Sequence, residues 1–257
     1  MDSKRDIMLT PLRLMNTLID EGAWKNRLRA KLLSYRNALP RELMIRKGDV
    51  AIQVGMWRHR NVQRLSKCVG DAGRVILIEA DKRNIDHLLP FLEENALNNV
   101  TVVHKAAWNA RGQFDLCIGH EPSHNRLNVP NVQMLGEVNR HAFMEMTSTE
   151  VDTVDNILAD IGVSDANYVE VSVNGVELQV LNGMTQTLQR VTRLFAAGYA
   201  RAKDTHDPLN RRAEKFLQQQ GFRTTITCKT PPTQADFDRA AASEWGWQEG
   251  HIFGWRE

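Results

Sequence analysis

The sequence predicts an α/β fold built on a mostly parallel sheet with helices on both faces. Three observations point there. The apolar runs DVAIQVG (49–55), RVILIEAD (74–81) and VTVVHKAAW (100–108) have strand length and end in turn or polar residues. Segments with helical spacing alternate with them, the pattern of βαβ units. The runs are too continuously apolar for strands with one wet face, so they read as buried on both sides. A hydrophobic content of 42% and a charged content of 25% fit a soluble globular chain, and 257 residues can bury a sizeable core.

The elements follow in order. Residues 11–39 carry Leu12, Met15 and Ile19, then Leu28, Leu32 and Leu33, at helical spacing. Gly22 divides this stretch into two helices and Pro40 ends the second, which makes 1–47 an N-terminal helical segment ahead of a domain at 48–257. VQRLSKCVG is helical after the first strand, and 84–97 is helical after the second. Residues 113–154 fit the rhythm poorly and read as a β-rich insertion, at about 113–150, before a helix at 153–161. YVEVSVNG (168–175) and RLFAAGYA (193–200) are two more strands with the helical LQVLNGMTQTLQR between them. FRTTITC and HIFGWRE pair as a closing antiparallel hairpin, which completes a seven-stranded sheet.

Charge and cysteines narrow the setting. A net charge of +2 does not argue for nucleic acid or an anionic membrane. The basic stretch KNRLRAKLLSYR (25–36) lacks the interleaved aromatics of a nucleic-acid face and reads as solvated, so an RNA substrate would rest only on scattered arginines. Cys68, Cys117 and Cys228 are odd in number, far apart and form no CxxC pair, which suggests reduced thiols in a cytoplasmic protein. No apolar h-region opens the chain, and no apolar run approaches the ~20 residues that span a bilayer.

In an open parallel sheet the ligand sits beyond the carboxyl ends of the strands, at the switch point beside the first strand. VGMWRHR falls at that mouth. Gly55 permits a tight turn and close backbone approach, and a helix starting near Arg60 aims free N–H groups at a negative ligand group. Glu79, at the end of the second strand, is placed to take both hydroxyls of an adenosine ribose. The plainer alternative is a turn glycine and a solvated strand-end glutamate. Arg58, His59 and Arg60 read equally as a solvated helix start or as holders of a carboxylate or phosphate.

The order GDVAIQVG, RVILIEADKRNIDHLLPFLEENALNNVTVVHKAAWNARG, VDTVDNIL and YVEVSVNGVELQVLNGM resembles the FkbM-type S-adenosylmethionine-dependent methyltransferases over roughly residues 47–200. Gly48, Asp49, Gly55, Glu79, Asp155, Gly175, Glu177, Leu181 and Gly183 match the family pattern. The resemblance implies a Rossmann-like methyltransferase fold, S-adenosylmethionine as cofactor and a small-molecule hydroxyl, of a sugar or specialised metabolite, as methyl acceptor. The cofactor set it implies is Gln53, Gly55, Met56, Trp57, Glu79, Ala80 and Ala107. Alternation along YVEVSVN places Glu170, Ser172 and Asn174 on one strand face, and with Glu177 and His59 they form the expected catalytic set.

Several positions depart from the family. Gln53 replaces an acid in the first strand, His59 a glycine, Ser172 and Asn174 an acid pair, and Glu170 a lysine. Neutral amides hydrogen-bond but cannot balance a sulfonium or ammonium, and bulky Trp57 and His59 narrow the loop. A non-catalytic binding or assembly subunit is therefore the second reading, while the carboxylate of Glu79 favours cofactor binding. His120, His124 and His141 with Glu121 lie in the insertion, where Pro122 argues against a chelating helix, so no metal is expected. Trp255 is expected to pack in the last strand; Trp245 and Trp247 can pack in the core, cover the cleft or form a homo-oligomer interface.

Overall fold

The computed structural model describes residues 45–120, 125–129, 143–200, 209–227 and 248–256. Strand β1 (Val50–Val54) turns Ala51 and Gln53 to one face and Ile52 and Val54 to the other, and all four are buried. Helix α1 (His59–Val69) follows it, then strand β2 (Arg74–Glu79), helix α2 (Lys82–Glu94) and strand β3 (Val100–His104). Helix α2 begins two residues before its periodicity suggests because the Asp81 side chain accepts from the Arg83 N–H and caps it. It stops before Asn95, and Ala96 takes a positive φ of 52° just beyond.

The run read as one strand over 100–108 divides. Past His104 the chain leaves β3, and β4 (Ala106–Ala107) pairs in parallel with β7 (Phe143–Asp152). Strands β5 (Gly112–Gly119) and β6 (Arg126–Asn128) complete a second, four-stranded sheet in the order β4-β7-β5-β6. Helix α3 (Val154–Asp160) then leads to β8 (Tyr168–Val171). The helical stretch that follows is also two elements, α4 (Glu177–Asn182) and α5 (Thr185–Arg190). Gly183 breaks it where the backbone presses on the Trp108 carbonyl. Asp155 supports the second piece by accepting from the N–H groups of Gln186 and Thr187 and the Thr187 hydroxyl.

Strand β9 (Arg193–Ala200), helix α6 (Leu209–Gln219), β10 (Arg223–Thr227) and β11 (Gln248–Trp255) close the main sheet. Its order is β10-β11-β9-β8-β1-β2-β3, and β11 alone runs against its neighbours. This is a Rossmann-like α/β sheet of seven strands whose C-terminal pair forms the antiparallel hairpin. Trp255 stands in that last strand but is 38% exposed rather than packed inside. Ala51, Val75 and Tyr168 pack with Leu65 and Val69 of α1 on one face. Ile52, Val54, Ile76 and Ile78 pack with Ile157, Val180, Leu188 and Leu217 of α3 to α6 on the other. The order reverses between β1 and β8, since β2 and β3 lie to one side and β9 to the other. The switch point is there.

The expected N-terminal helices, Cys228, Trp245, Trp247, Glu121, His124 and His141 lie outside the described residues, apart from the last residues of the 1–47 segment. Among the described residues no helix is long and apolar enough to cross a membrane, and no cluster of three metal-ligating side chains occurs.

A methyl group at position 183 would overlap the Trp108 carbonyl, where the second sheet meets the α4–α5 break. Gly183→Ala is therefore expected to lower unfolding stability by about 1–3 kcal/mol, the usual range for forced overpacking. Urea titration of the variant against the wild type measures it.

Candidate functional site

The carboxyl ends of β1, β2 and β8 meet at the switch point, and each contributes a turn. After β1, Gly55 adopts φ of 79°, and a Cβ on it would overlap the Ser172 carbonyl at the end of β8. The glycine is thus required by the packing of two turns, a constraint separate from any ligand. Gln53 is 3% exposed; its Nε2 donates to the Gly55 carbonyl at 3.2 Å, while its Oε1 has no hydrogen-bond partner among the described residues. Reversing the amide would set two oxygens face to face, so the carbonyl of Gly55 fixes which end of Gln53 is left over. Met56 is buried, and Trp57, next in the turn, is 49% exposed with the Arg58 guanidinium 4.8 Å from its ring centre.

Glu79 ends β2 and turns its carboxylate under the β1–α1 turn. Its Oε2 accepts from the Met56 N–H at 2.8 Å, and its Oε1 from the Asp81 N–H at 2.9 Å and Asn84 Nδ2 at 3.3 Å. It is 6% exposed, which overturns the picture of a solvated strand-end glutamate. Burial raises its pKa, against the hydrogen bonds from Asp81, Met56 and Asn84. A carboxylate offers about four acceptor directions, so one remains on Oε2 and a second is gained if Asn84 swings away. Ala80 follows, its carbonyl 3.1 Å from His104 Nε2, and Ala107 is buried in β4.

The third turn departs from the strand reading of 168–175. The ladder ends with the Ser172 N–H donating to the Val54 carbonyl at 2.9 Å. Beyond it Asn174 takes φ of 55° and Gly175 φ of 101°. Glu177 causes the turn: it accepts from the Val173 N–H at 3.2 Å and the Gly175 N–H at 3.0 Å. Ser172 and Asn174 therefore do not extend the strand face of Glu170, and Asn174 Nδ2 instead donates to the Asn125 carbonyl. Burial pushes the Glu177 carboxyl up to about 7, against hydrogen bonds from its own N–H and those of Gly175 and Val173.

Glu170 points under α1. Its Oε1 accepts from Arg64 Nη2 at 2.5 Å and the Tyr168 hydroxyl at 2.7 Å, and it is 3% exposed. Gln53 is its register neighbour on β1. His59, the first residue of α1, packs its ring 5.3 Å from Phe91 of α2, and burial, then the nearby His87, lowers its pKa. Its helix and that of Glu177 cover opposite faces of the sheet. The structure thus gathers Gln53, Gly55, Met56, Glu79, Ser172 and Asn174 around one mouth, and sets Glu170 and His59 beneath or beside α1.

Three residues at or next to this mouth have no counterpart in the sequence reading. Asp81, 3% exposed, accepts from Arg83 and from Asn125 Nδ2. Burial raises its pKa, but the bonds from Arg83 and Asn125 outweigh that and hold it low. An acid directly before a helical pattern was the available signal. Arg64 lies on an amphipathic helix whose periodicity does not say which residue reaches β8. Asn125 sits in a segment without periodicity.

No protein-family model and no curated protein sequence matches the chain. Solved structures with similar folds include precorrin-6y C5,15-methyltransferase from Geobacter metallireducens, 12% identical over 90% of this chain and 88% of that one, with a TM-score of 0.45. The O-methyltransferase TomG from Streptomyces achromogenes is 12% identical over 92% and 81%, with a TM-score of 0.45. Fibrillarin from Aeropyrum pernix, bound to S-adenosyl-L-methionine, is 13% identical over 82% and 68%, with a TM-score of 0.42. At such distance the fold class rests on the strand order of this chain itself.

Two outcomes are expected from these buried charges. Because the folded pKa of Glu177 lies above its unfolded value of 4.5, the native state holds that proton more tightly. Its contribution is full below pH 4.5 and is lost as pH rises to about 7, in total about 3 kcal/mol. Glu177→Gln is expected to flatten this slope in pH-resolved unfolding curves while lowering stability throughout, because an amide cannot accept from both neighbouring N–H groups. Arg64→Leu leaves Glu170 buried without its cation and should cost about 3–5 kcal/mol; adding Glu170→Gln should recover much of that in a double-mutant cycle.

Proposed function

We propose that the chain binds S-adenosylmethionine at the Gly55 turn and methylates a hydroxyl of a sugar or other small molecule, in the manner of the FkbM-type enzymes it resembles. The observation that carries this reading is Gln53 Oε1, a buried acceptor without a donor among the described residues, beside a left-handed glycine turn at the switch point. Buried polar atoms are rarely left in that state, and a donor from a bound molecule would satisfy it. An ammonium or hydroxyl supplies such a donor. Glu79, with an acceptor direction to spare at the end of β2, suits a ribose hydroxyl.

The residues fit the cofactor on that basis. The bound cofactor supplies the electrophilic methyl group, and the chain supplies alignment and exclusion of water. Gln53, Gly55, Met56, Trp57 and Glu79 stand on the cofactor side, with Ala80 and Ala107 near the end of β2. Ser172 and Asn174 are the substrate-side candidates. Glu177 titrates near neutrality, as a general base requires, but its two oxygens hold the β8–α4 turn. Glu170 and His59 are assigned to the support of α1 instead.

A non-catalytic subunit is the second reading, favoured by the three N–H groups that already occupy Glu79. Calorimetric titration with S-adenosylmethionine and S-adenosylhomocysteine separates the two. Micromolar binding is expected in the wild type. It should weaken about tenfold in Gln53→Leu, equivalent to one hydrogen bond of about 1.4 kcal/mol, and vanish in Glu79→Ala that still unfolds cooperatively. No heat at millimolar ligand selects the non-catalytic reading.

A further inference from the structure

Asn125 makes a connection that neither the fold nor the proposed methyl transfer explains. Its Nδ2 donates to Asp81 Oδ2 at 2.5 Å, its Oδ1 accepts from the Gly119 N–H at 2.9 Å, and its main-chain carbonyl accepts from Asn174 Nδ2 at 2.9 Å. Asp81 belongs to the turn after β2 and Asn174 to the turn after β8. In the sheet, β1 lies between those two strands. Neighbouring strands are about 4.8 Å apart, so a residue bonded to both turns crosses the end of β1, above Gly55.

We propose that Asn125 is a latch over the ligand mouth, opened at its Asn174 side before a ligand reaches the Gly55 turn. This rests on the cofactor site proposed above. The two ends of the latch differ in strength. The bond to Asp81 is short and made to a carboxylate held ionised by Arg83, whereas the bond from Asn174 joins two neutral amides. The weaker end releases first. Gly119 and β6, paired to β5 through Leu127 and Leu116, then keep Asn125 attached to the second sheet and act as the hinge side.

Both banks are held from within, which makes the latch a coupling rather than a surface contact. On one side the Asp81 N–H bonds to Glu79, which holds Met56 of the β1–α1 turn. On the other, Glu177 holds Val173 and Gly175 on either side of Asn174. Parting Asn125 from Asn174 unties the β8–α4 turn from the β2 side, while Glu177 and Glu79 keep the two turns themselves assembled.

Two variants and two readouts test this. Asn174→Gly keeps the positive φ and removes the releasing bond; Asn125→Ala removes the Asp81 and Gly119 bonds. In the ligand-free protein, hydrogen exchange at residues 172–176 is expected to quicken several-fold in Asn125→Ala, with β1 and β2 unchanged. In stopped-flow mixing, S-adenosylhomocysteine is expected to associate several-fold faster with either variant than with the wild type. Unchanged exchange at 172–176 overturns the latch, as does binding at an unchanged association rate. If no form binds the ligand, the cofactor reading fails, and the exchange experiment alone decides whether Asn125 couples the two turns.

Discussion

The carboxyl edge of the main sheet depends on Glu79. One carboxylate gathers the turn after β1 and the turn after β2 by accepting the N–H groups of Met56 and Asp81, with Asn84 of α2 as a third donor. Those turns carry a left-handed Gly55, pressed against the Ser172 carbonyl, and a half-exposed Trp57. Burying a charged group costs free energy unless its hydrogen bonds are made, so the site tolerates Glu79 only in this geometry. Glu177 does the same for the turn after β8, and burial raises its pKa to about 7. Two backbone-clamping carboxylates thus shape the mouth from either side of β1.

A different arrangement of charge lies beneath α1. Gln53 and Glu170 are register neighbours, and Arg64 supplies the cation that Glu170 needs. A carboxylate at position 53 would stand on the strand next to Glu170, and neighbouring like charges disfavour ionisation. The neutral amide at 53 is therefore what the Glu170–Arg64 pair permits. Gln53 and Glu170 belong together as one arrangement of charge, which leaves an uncharged acceptor at the end of β1.

The second sheet reaches the mouth through its hairpin strands. Strand β4 leaves the main sheet just after β3, so β5, β6 and β7 fold back beside the carboxyl edge, and Asn125 ends up between the turns after β2 and β8. Asp152 anchors this sheet near α3 by accepting from Arg111, the Thr153 N–H and Asn156. The helical side is tied down by Asp155 and by the close approach of Gly183 to Trp108. The insertion is thereby held in register with the α4–α5 break.

Sequence alone determined the α/β class, the strands around DVAIQVG, RVILIEAD, YVEV and RLFAAGYA, and the placing of Gly55 and Glu79 at the carboxyl ends of the first two of them. Continuous apolar runs between helical repeats admit few other arrangements, and the switch point follows from strand order. What sequence could not decide were the places where a local pattern yields to a distant partner. The strand at 168–175 stops at Val171 because Glu177 folds the next residues into a turn, and 100–108 divides because Ala106 and Ala107 pair with Val151 and Asp152. The partner of each charge was equally hidden: Arg64 for Glu170 is 106 residues away, and Asn125 for Asp81 is 44. Periodicity reports which face of an element is buried; which polar groups meet across elements is set only when the chain closes.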